Sequence, residues 1–104
     1  MSETVTLVTC KDRKQATAIA RRLVKEKLAA CVNVLPGITS IYRWEGQVAE
    51  AREVLLVIKS RGALSRKLVS RVRALHTYHV PEVVTIPIAS GNPAYLRWLR
   101  QSTR

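Results

Sequence analysis

Residues 29–59 read AACVNVLPGITSIYRWEGQVAEAREVLLVIK. Two runs rich in apolar and β-branched residues meet in this segment at Glu45-Gly46, a two-residue turn of the kind that closes β-hairpins, although Asn-Gly is a stronger signal. An arm of about 13 residues at roughly 3.3 Å per residue is about 43 Å long. A folded domain of 104 residues has a diameter of roughly 34 Å. We therefore expect the hairpin to extend beyond the rest of its own domain.

The turn at Glu45-Gly46 also predicts which side chains share a face of the hairpin. The expected pairs are Trp44 with Gln47, Tyr42 with Ala49, and Ser40 with Ala51. Because strand side chains alternate between faces, the two rings and the two alanines lie on one face. The other face carries Arg43, Glu50 and Arg52 and is expected to be polar. A two-stranded ribbon is not stable alone in water, so its apolar face should pack on another copy of the chain or on the chain's own helices.

The two arms are expected to divide into an inner and an outer part. Pro36-Gly37 interrupts the first arm, and a proline within a strand indicates an edge or a bulge. We expect residues 31–35 to lie in the domain's sheet and residues 38–44 to form the free arm. The run from Val54 to Ile58 is apolar on both alternating faces, which predicts that both are covered. Helices would cover one face and a neighbouring subunit the other.

The remaining segments alternate between helical and extended patterns. The predicted strands are residues 4–10, the two hairpin arms and residues 82–89, and the predicted helices follow Asp12, Lys59 and Asn92. Asp12 with Gln15 has the spacing of a capping box, and that first helix should end near Leu28. The order is β-α-β-β-α-β with an extra C-terminal helix. It predicts a ferredoxin-like fold of the α+β class, as one domain over residues 1–104.

The charge balance is strongly basic, with 18 Lys and Arg against 7 Asp and Glu and a net charge of +11. Such an excess favours contact with polyanions, although a solvated basic surface with only incidental affinity is the alternative. No apolar run reaches the length of a membrane span, and the N-terminus has no secretory pattern. Two cysteines do not make a disulfide framework. We therefore expect a cytoplasmic protein.

The chain contains none of the common catalytic motifs, so the sequence predicts no enzyme and no catalytic residues. The absent motifs are CxxC, HExxH, GxSxG and GxxxxGK[ST]. His76, His79 and Glu82 are spaced three apart and could offer imidazole and carboxylate to a divalent ion. The alternative is that His76 only forms hydrogen bonds at a helix end.

Both cysteines and one lysine are further candidates. Cys10 is expected to be accessible at a strand end, whereas Cys31 is expected to be buried packing. Since thiolate suits Cu(I) and imidazole suits Cu(II), the candidate metal ligands are His76, His79, Cys10 and Cys31, with copper as the most suitable metal. Lys59 follows an apolar strand. It should either extend to solvent or meet a carboxylate, for which Glu82 is the candidate.

Several segments, in order along the whole chain, resemble the CutA1 family of divalent-cation tolerance proteins. They are LAACVN at 28–33, PGITSIYRWEG at 36–46, VPE at 80–82 and GNPAYLRWL at 91–99. The resemblance implies a ferredoxin-like subunit in a tight homotrimer with interlocking hairpins, similar in architecture to PII-type signalling proteins. It also implies a non-enzymatic protein that binds copper and other divalent ions.

The resemblance further implies an intersubunit cleft. The positions carried over are Tyr42, Trp44, Glu45, Lys59, His76, Tyr78, Glu82 and Trp98. These residues could instead only hold the interface together. The family segment resembles H-P-Y-E-V-P-E, but here Thr77 replaces the proline and His79 the acidic residue. The second change adds an imidazole, which favours copper over harder cations.

Two other functions stay open. One is a structural or signalling trimer that binds a small ligand or protein partner and has incidental metal affinity. The other is non-specific binding of RNA or another polyanion through the basic helical faces. The fold alone does not exclude RNA recognition, because the RRM has the same element order. However, an RRM needs aromatic rings on its central strands, and the run VLLVIK has none.

Overall fold

Four antiparallel strands form one sheet in the computed structural model, which describes residues 2–104 of the chain. The elements are β1 (Glu3–Cys10), α1 (Arg13–Lys25), β2 (Cys31–Trp44), β3 (Gln47–Arg61), α2 (Ser65–Leu75), β4 (Val83–Pro87) and α3 (Pro93–Ser102), with a 3-10 turn at Gly62–Leu64. The strand order across the sheet is β2-β3-β1-β4. This arrangement confirms the predicted ferredoxin-like fold of the α+β class.

The helix starts predicted at Asp12 and Asn92 are confirmed, whereas the helix expected after Lys59 begins only at Ser65. The Asp12 Oδ1 atom accepts a hydrogen bond from the Gln15 backbone N–H at 2.8 Å. The Gln15 side chain in turn accepts from the N–H of Lys11, one residue before the cap, at 3.3 Å. At α3 the Asn92 side chain accepts from the N–H of Ala94 at 3.0 Å. These bonds satisfy donors that a helix start leaves without an intrahelical partner.

Helix α1 ends at Lys25, three residues before the expected Leu28. Lys27 adopts a left-handed backbone conformation with φ of 61°. Its N–H donates to the carbonyl of Val24 at 3.1 Å, and the N–H of Leu28 donates to that of Leu23 at 2.9 Å. This pair of bonds is the Schellman motif, formed here on a lysine instead of the usual glycine. The helical spacing of apolar residues continues past Lys25 in the sequence because Leu28 still packs against the core.

The hydrophobic core lies between one face of the sheet and helices α1 and α2. Its fully buried members include Leu23, Leu56, Ile58, Leu68 and Val72. None of the helices in residues 2–104 has the length and apolar character needed to span a membrane.

Helix α3 lies on the opposite face of the sheet, at the end where β1 begins and β3 ends. The Arg61 guanidinium donates to the Thr103 Oγ1 atom at 3.0 Å and to its carbonyl at 2.9 Å. Arg100 forms an ion pair with Glu3, and Leu99 is completely buried. Within one chain, Leu55 is only partly buried on this face. The predicted cover on both faces of β3 is therefore incomplete in a single chain.

The hairpin of β2 and β3 has the predicted register. Trp44 pairs with Gln47, and the register shifts once, between Leu35 and Ile38. This is the bulge expected at Pro36-Gly37. Strand β1 pairs with β3 only from Val54 onward, so the outer part of β3 pairs with β2 alone. The hairpin extends the molecule to 44 Å along its long axis, against 25 Å and 23 Å across it.

Both faces of the free arm carry exposed apolar side chains. Tyr42 and Trp44 are 44% and 51% exposed on the face that was expected to be apolar. The chain's own helices therefore leave these rings accessible. The opposite face also carries Ile41 and Val48, which are 68% and 70% exposed. The prediction of a polar second face was wrong, because strand alternation places these two residues beside Arg43.

Candidate functional site

A cleft of about 630 Å³ lies between the free arm of the hairpin and the loop that connects α2 to β4. Four of the eight predicted cleft residues meet there: Tyr42 and Trp44 from β2, and Tyr78 and Glu82 from the loop. His79 and Glu53 also line the cleft. Tyr78, His79 and Glu82 reach the arm because they belong to the loop between α2, which ends at Leu75, and β4, which begins at Val83.

Tyr78 ties the loop to the hairpin. Its hydroxyl donates a hydrogen bond to the Glu53 Oε2 atom at 2.7 Å. Burial raises the pKa of Tyr78 well above its usual range, and the hydrogen bond to Glu53 and the negative charge of that residue raise it further. The phenol therefore keeps its proton at physiological pH and acts as a donor to the carboxylate. This contact fixes one wall of the cleft.

His76 is buried at the end of α2 and uses both of its ring nitrogens. Nε2 donates to the carbonyl of Thr9 at 2.7 Å, and Nδ1 accepts the N–H of Tyr78 at 3.0 Å. Strand β4 pairs with β1 only as far as Val8. The imidazole thus satisfies the next carbonyl of β1, just beyond the end of the ladder. His76 orients Tyr78, and neither nitrogen has a lone pair free for a metal ion.

Neither cysteine has the exposure that was expected. Cys10 is completely buried, and burial together with the charges of Glu53 and Asp12 raises its pKa to about 11. Its side chain faces the core because it pairs with Val54 on the helix-covered face of the sheet. Cys31 is half-buried on the edge strand β2. The prediction that Cys10 is accessible and Cys31 buried was wrong.

Besides His76, three of the predicted cleft residues lie outside the lining of the cleft within one chain. Lys59 donates to the Oδ1 atom of Asn33, and its Nζ lies 3.8 Å from the Cys31 sulfur. Lys59 is partly exposed and its partner Asn33 is exposed, so the side chain does reach the surface. The ion pairs of the described residues do not include one between Lys59 and Glu82. Trp98 packs against a tyrosine on α3 with ring centroids 5.4 Å apart. Glu45 lies at the tip of the hairpin.

Glu53 is the residue that the sequence analysis missed. It directly precedes the apolar run of β3 and shares a strand face with the residues opposite Tyr42 and Trp44. It is 8% exposed. The sequence signal for Glu53 was its charge at the boundary between the apolar strand and the free arm. A carboxylate buried there needs a hydrogen-bonding partner.

The donor atoms of one chain do not form a complete metal site. Among the described residues there is no group of three or more His, Cys, Asp or Glu side chains placed to hold a metal ion. Of the predicted ligands, His76 is engaged in hydrogen bonds and Cys10 is protonated and buried. His79, Glu53 and Glu82 face the cleft. The proposed ligand set stays a prediction that the fold of a single chain does not support by itself.

Known proteins resemble this chain along its whole length. Residues 4–102 match the family model of the CutA1 divalent ion tolerance protein. The divalent-cation tolerance protein CutA of Thermus thermophilus is 54% identical over 97% of this chain and 98% of its own length. Protein CutA of Mus musculus is 47% identical over 98% of this chain, which spans only 58% of that protein.

A solved structure agrees with the sequence matches. The divalent cation tolerance protein from Thermus thermophilus superposes with a TM-score of 0.96 at 53% identity, covering 98% of this chain and 99% of that one. The free hairpin arm and the loop that carries His76 belong to the matched region. The chain therefore belongs to the CutA1 family of divalent ion tolerance proteins.

Proposed function

We propose that this chain is a non-enzymatic, cytoplasmic subunit of a homotrimer that binds divalent cations, with copper as the preferred ion. The observation that supports it most is the composition of the cleft. Glu53, Glu82 and His79 line one cavity in a chain whose net charge is +11. Carboxylate and imidazole donors gathered in a basic protein favour a cationic ligand.

Assembly would complete both the cleft and the cover of the sheet. Several apolar residues are 42–51% exposed on the sheet face opposite α1 and α2, and they are Leu35, Tyr42, Trp44, Val84 and Ile86. Contiguous apolar surface on this scale indicates a protein interface. Neighbouring copies around a threefold axis would cover this face and bring further donor groups to the open side of the cleft.

Copper is favoured among the divalent ions by the type of donor. Sites with nitrogen and oxygen ligands bind Cu(II) more tightly than the other first-row divalent ions. His79 supplies an exposed imidazole at a position where the family pattern resembles an acidic residue. Its ring is the accessible nitrogen donor in the cleft, since His76 is engaged in two hydrogen bonds.

Mass photometry and calorimetry test the two parts of the proposal. A trimer of 11.7 kDa chains has a mass of about 35 kDa. With Cu(II), His79→Gln and Glu82→Gln should each weaken binding about tenfold, the loss of one ligand interaction worth roughly 1.4 kcal/mol. Glu50→Gln is the matched control, because it removes a carboxylate from the other face of the same hairpin. A monomer at micromolar concentration, or a Kd weaker than about 0.1 mM, would contradict the proposal.

The size and walls of the cleft favour a small organic ligand as the second candidate. A volume of about 630 Å³ falls in the range of small-molecule sites. Rings of Tyr42, Trp44 and Tyr78 form its walls, and aromatic rings beside carboxylates suit organic cations. Thermal unfolding with candidate amines in the presence of EDTA distinguishes an organic ligand from a metal ion. Stabilisation that persists without metal would favour the organic ligand.

A further inference from the structure

The basic residues are concentrated on the two helices that cover the core. Helix α1 contains five Lys or Arg residues and α2 contains four, and neither helix contains an Asp or Glu. Lys11 and Lys27 flank α1 and add to the same layer. In contrast, four of the seven acidic residues lie on the hairpin or in the cleft, and they are Glu45, Glu50, Glu53 and Glu82. The chain thus has a basic helical face and an acidic cleft on separate surfaces.

The helical face has little internal neutralisation. Glu26 accepts hydrogen bonds from Arg71 at 2.8 Å and from Arg22 at 3.1 Å. Seven other basic side chains of α1 and α2 are exposed and form no ion pair with any residue in 2–104, and they are Arg13, Lys14, Arg21, Lys25, Arg66, Lys67 and Arg73. Like charges at this density repel one another, so a polyanion would relieve a cost that the folded chain carries.

Two concave surfaces lie next to these basic residues, at the two ends of the seam where α1 and α2 pack together. One, of about 520 Å³, is lined by the basic residues Lys11, Lys14 and Arg22 and by one acidic residue, Asp12. The other, of about 470 Å³, includes Arg66 and Lys67 in its lining. Basic side chains thus border concave surface at both ends of the seam, where phosphate groups can be approached from more than one side.

We propose that the face formed by α1 and α2 binds the phosphodiester backbone of a double-helical nucleic acid without sequence preference. The helices contain no Trp or Tyr and the chain no Phe. They therefore lack the aromatic platforms on which single-stranded bases stack. Among the large apolar side chains that are well exposed in the described residues, only Val24 belongs to α1 or α2. The face accordingly lacks the apolar anchors with which a helix inserts into a membrane surface.

The proposal does not depend on the cleft or on its ligand. The exposed aromatic residues of the hairpin and of α3 lie away from α1 and α2, so copies that cover the opposite face of the sheet leave the basic face accessible. Contacts to phosphates position a protein on a duplex but carry no sequence information. DNA and RNA duplexes present the same phosphodiester chemistry, and affinity should depend strongly on salt for both.

Fluorescence anisotropy of a labelled DNA duplex and of the matching RNA duplex tests the proposal. The face variant carries Lys14→Gln, Arg66→Gln and Lys67→Gln, which line the two concave surfaces beside α1 and α2. The control variant carries Arg52→Gln, Arg97→Gln and Arg104→Gln, which lie on the hairpin, on α3 and at the C-terminus. Both lower the net charge from +11 to +8, so overall attraction alone would affect them equally. Circular dichroism melts establish that both variants remain folded.

At about 50 mM salt the face variant should bind at least about tenfold more weakly than the unchanged protein, and the control should stay within about threefold. Removing one phosphate-binding side chain should lower the slope of log K against log salt by about 0.9, so the three substitutions of the face variant should lower it by about 2.7 for DNA. Equal weakening of both variants, no duplex binding at low salt, or binding only to phosphatidylserine vesicles would overturn the proposal. If only the DNA duplex or only the RNA duplex gives this pattern, that nucleic acid is the natural ligand.

Discussion

The hydroxyl of Tyr78 donates to a carboxylate oxygen of Glu53 at 2.7 Å, and this bond joins the loop after α2 to the base of the free hairpin arm. Glu53 is 8% exposed, and a carboxylate buried to this degree needs a hydrogen-bond donor. His76 supports the same contact by accepting the backbone N–H of Tyr78. The cleft therefore has a fixed wall before any ligand arrives, a form of preorganisation that lowers the cost of binding.

Replacing Tyr78 with phenylalanine should destabilise the protein by about 1.5–3 kcal/mol, because the substitution removes a hydrogen bond to a charged group while the carboxylate stays buried. Urea denaturation measures this change. Tyr42→Phe is the matched control, since the Tyr42 ring is 44% exposed and its removal of a hydroxyl should cost little. Equal effects of the two substitutions would contradict the assigned role of Tyr78.

A double-mutant cycle with Glu53→Gln separates the pair from its surroundings. If the hydrogen bond provides the stabilisation, the double variant should lose clearly less free energy of unfolding than the two single variants lose in sum. Strict additivity would show that the Tyr78 hydroxyl and the Glu53 carboxylate do not stabilise each other.

The hydrogen bonds of His76 fix its tautomer. Nε2 must carry a proton to donate to Thr9, and Nδ1 must be unprotonated to accept from Tyr78. Long-range proton–nitrogen NMR spectra above neutral pH should therefore show the Nε2–H form for His76. Addition of Cu(II) should broaden the His79 ring signals first, because only that imidazole is exposed in the cleft. An Nδ1–H tautomer, or earlier broadening of His76, would contradict this assignment.

The thiol of Cys10 should make the protein less stable in alkali. Its pKa is raised from 9.0 to about 11 by burial and by nearby negative charge. The folded state thus holds the proton more tightly, so this stabilisation is complete below about pH 9 and is lost as the pH rises through about 11. A shift of about two pKa units corresponds to at most roughly 3 kcal/mol. Denaturation under reducing conditions should show a smaller alkaline loss for Cys10→Ala; an unchanged loss would refute the prediction.

Local sequence signals determined most of the fold. The register about Glu45-Gly46 and the bulge at Pro36-Gly37 followed from turn chemistry and strand alternation, both of which act between near neighbours. The exposures of Cys10 and Cys31 could not be predicted in that way. They depend on which face of the sheet each helix covers, and α3 occupies the face opposite α1 and α2. That choice is made by tertiary packing and leaves no periodic signal in either strand.

The candidate site was predictable only in part for a similar reason. Four of the residues carried over by the resemblance, Tyr42, Trp44, Tyr78 and Glu82, line one cavity of a single chain, and the cleft between subunits stays a prediction. Spacing alone placed His76 among the metal ligands, although its two nitrogens are used by the loop and by β1. Hydrogen bonds to backbone groups distant in sequence decide whether an imidazole is available, and such bonds are not visible in a three-residue spacing.

The left-handed backbone of Lys27 predicts a substitution that should stabilise the protein. A residue with a Cβ atom pays about 1–2 kcal/mol for this conformation, whereas glycine adopts it without steric cost but loses more backbone entropy on folding. Lys27 is exposed and has φ of 61°. Lys27→Gly should therefore raise the free energy of unfolding by about 0.5–1 kcal/mol. Lys25→Gly is the control, because Lys25 is still helical and glycine there should destabilise by roughly the same amount. If both glycines destabilise in urea denaturation, the left-handed conformation of Lys27 does not carry the expected steric cost.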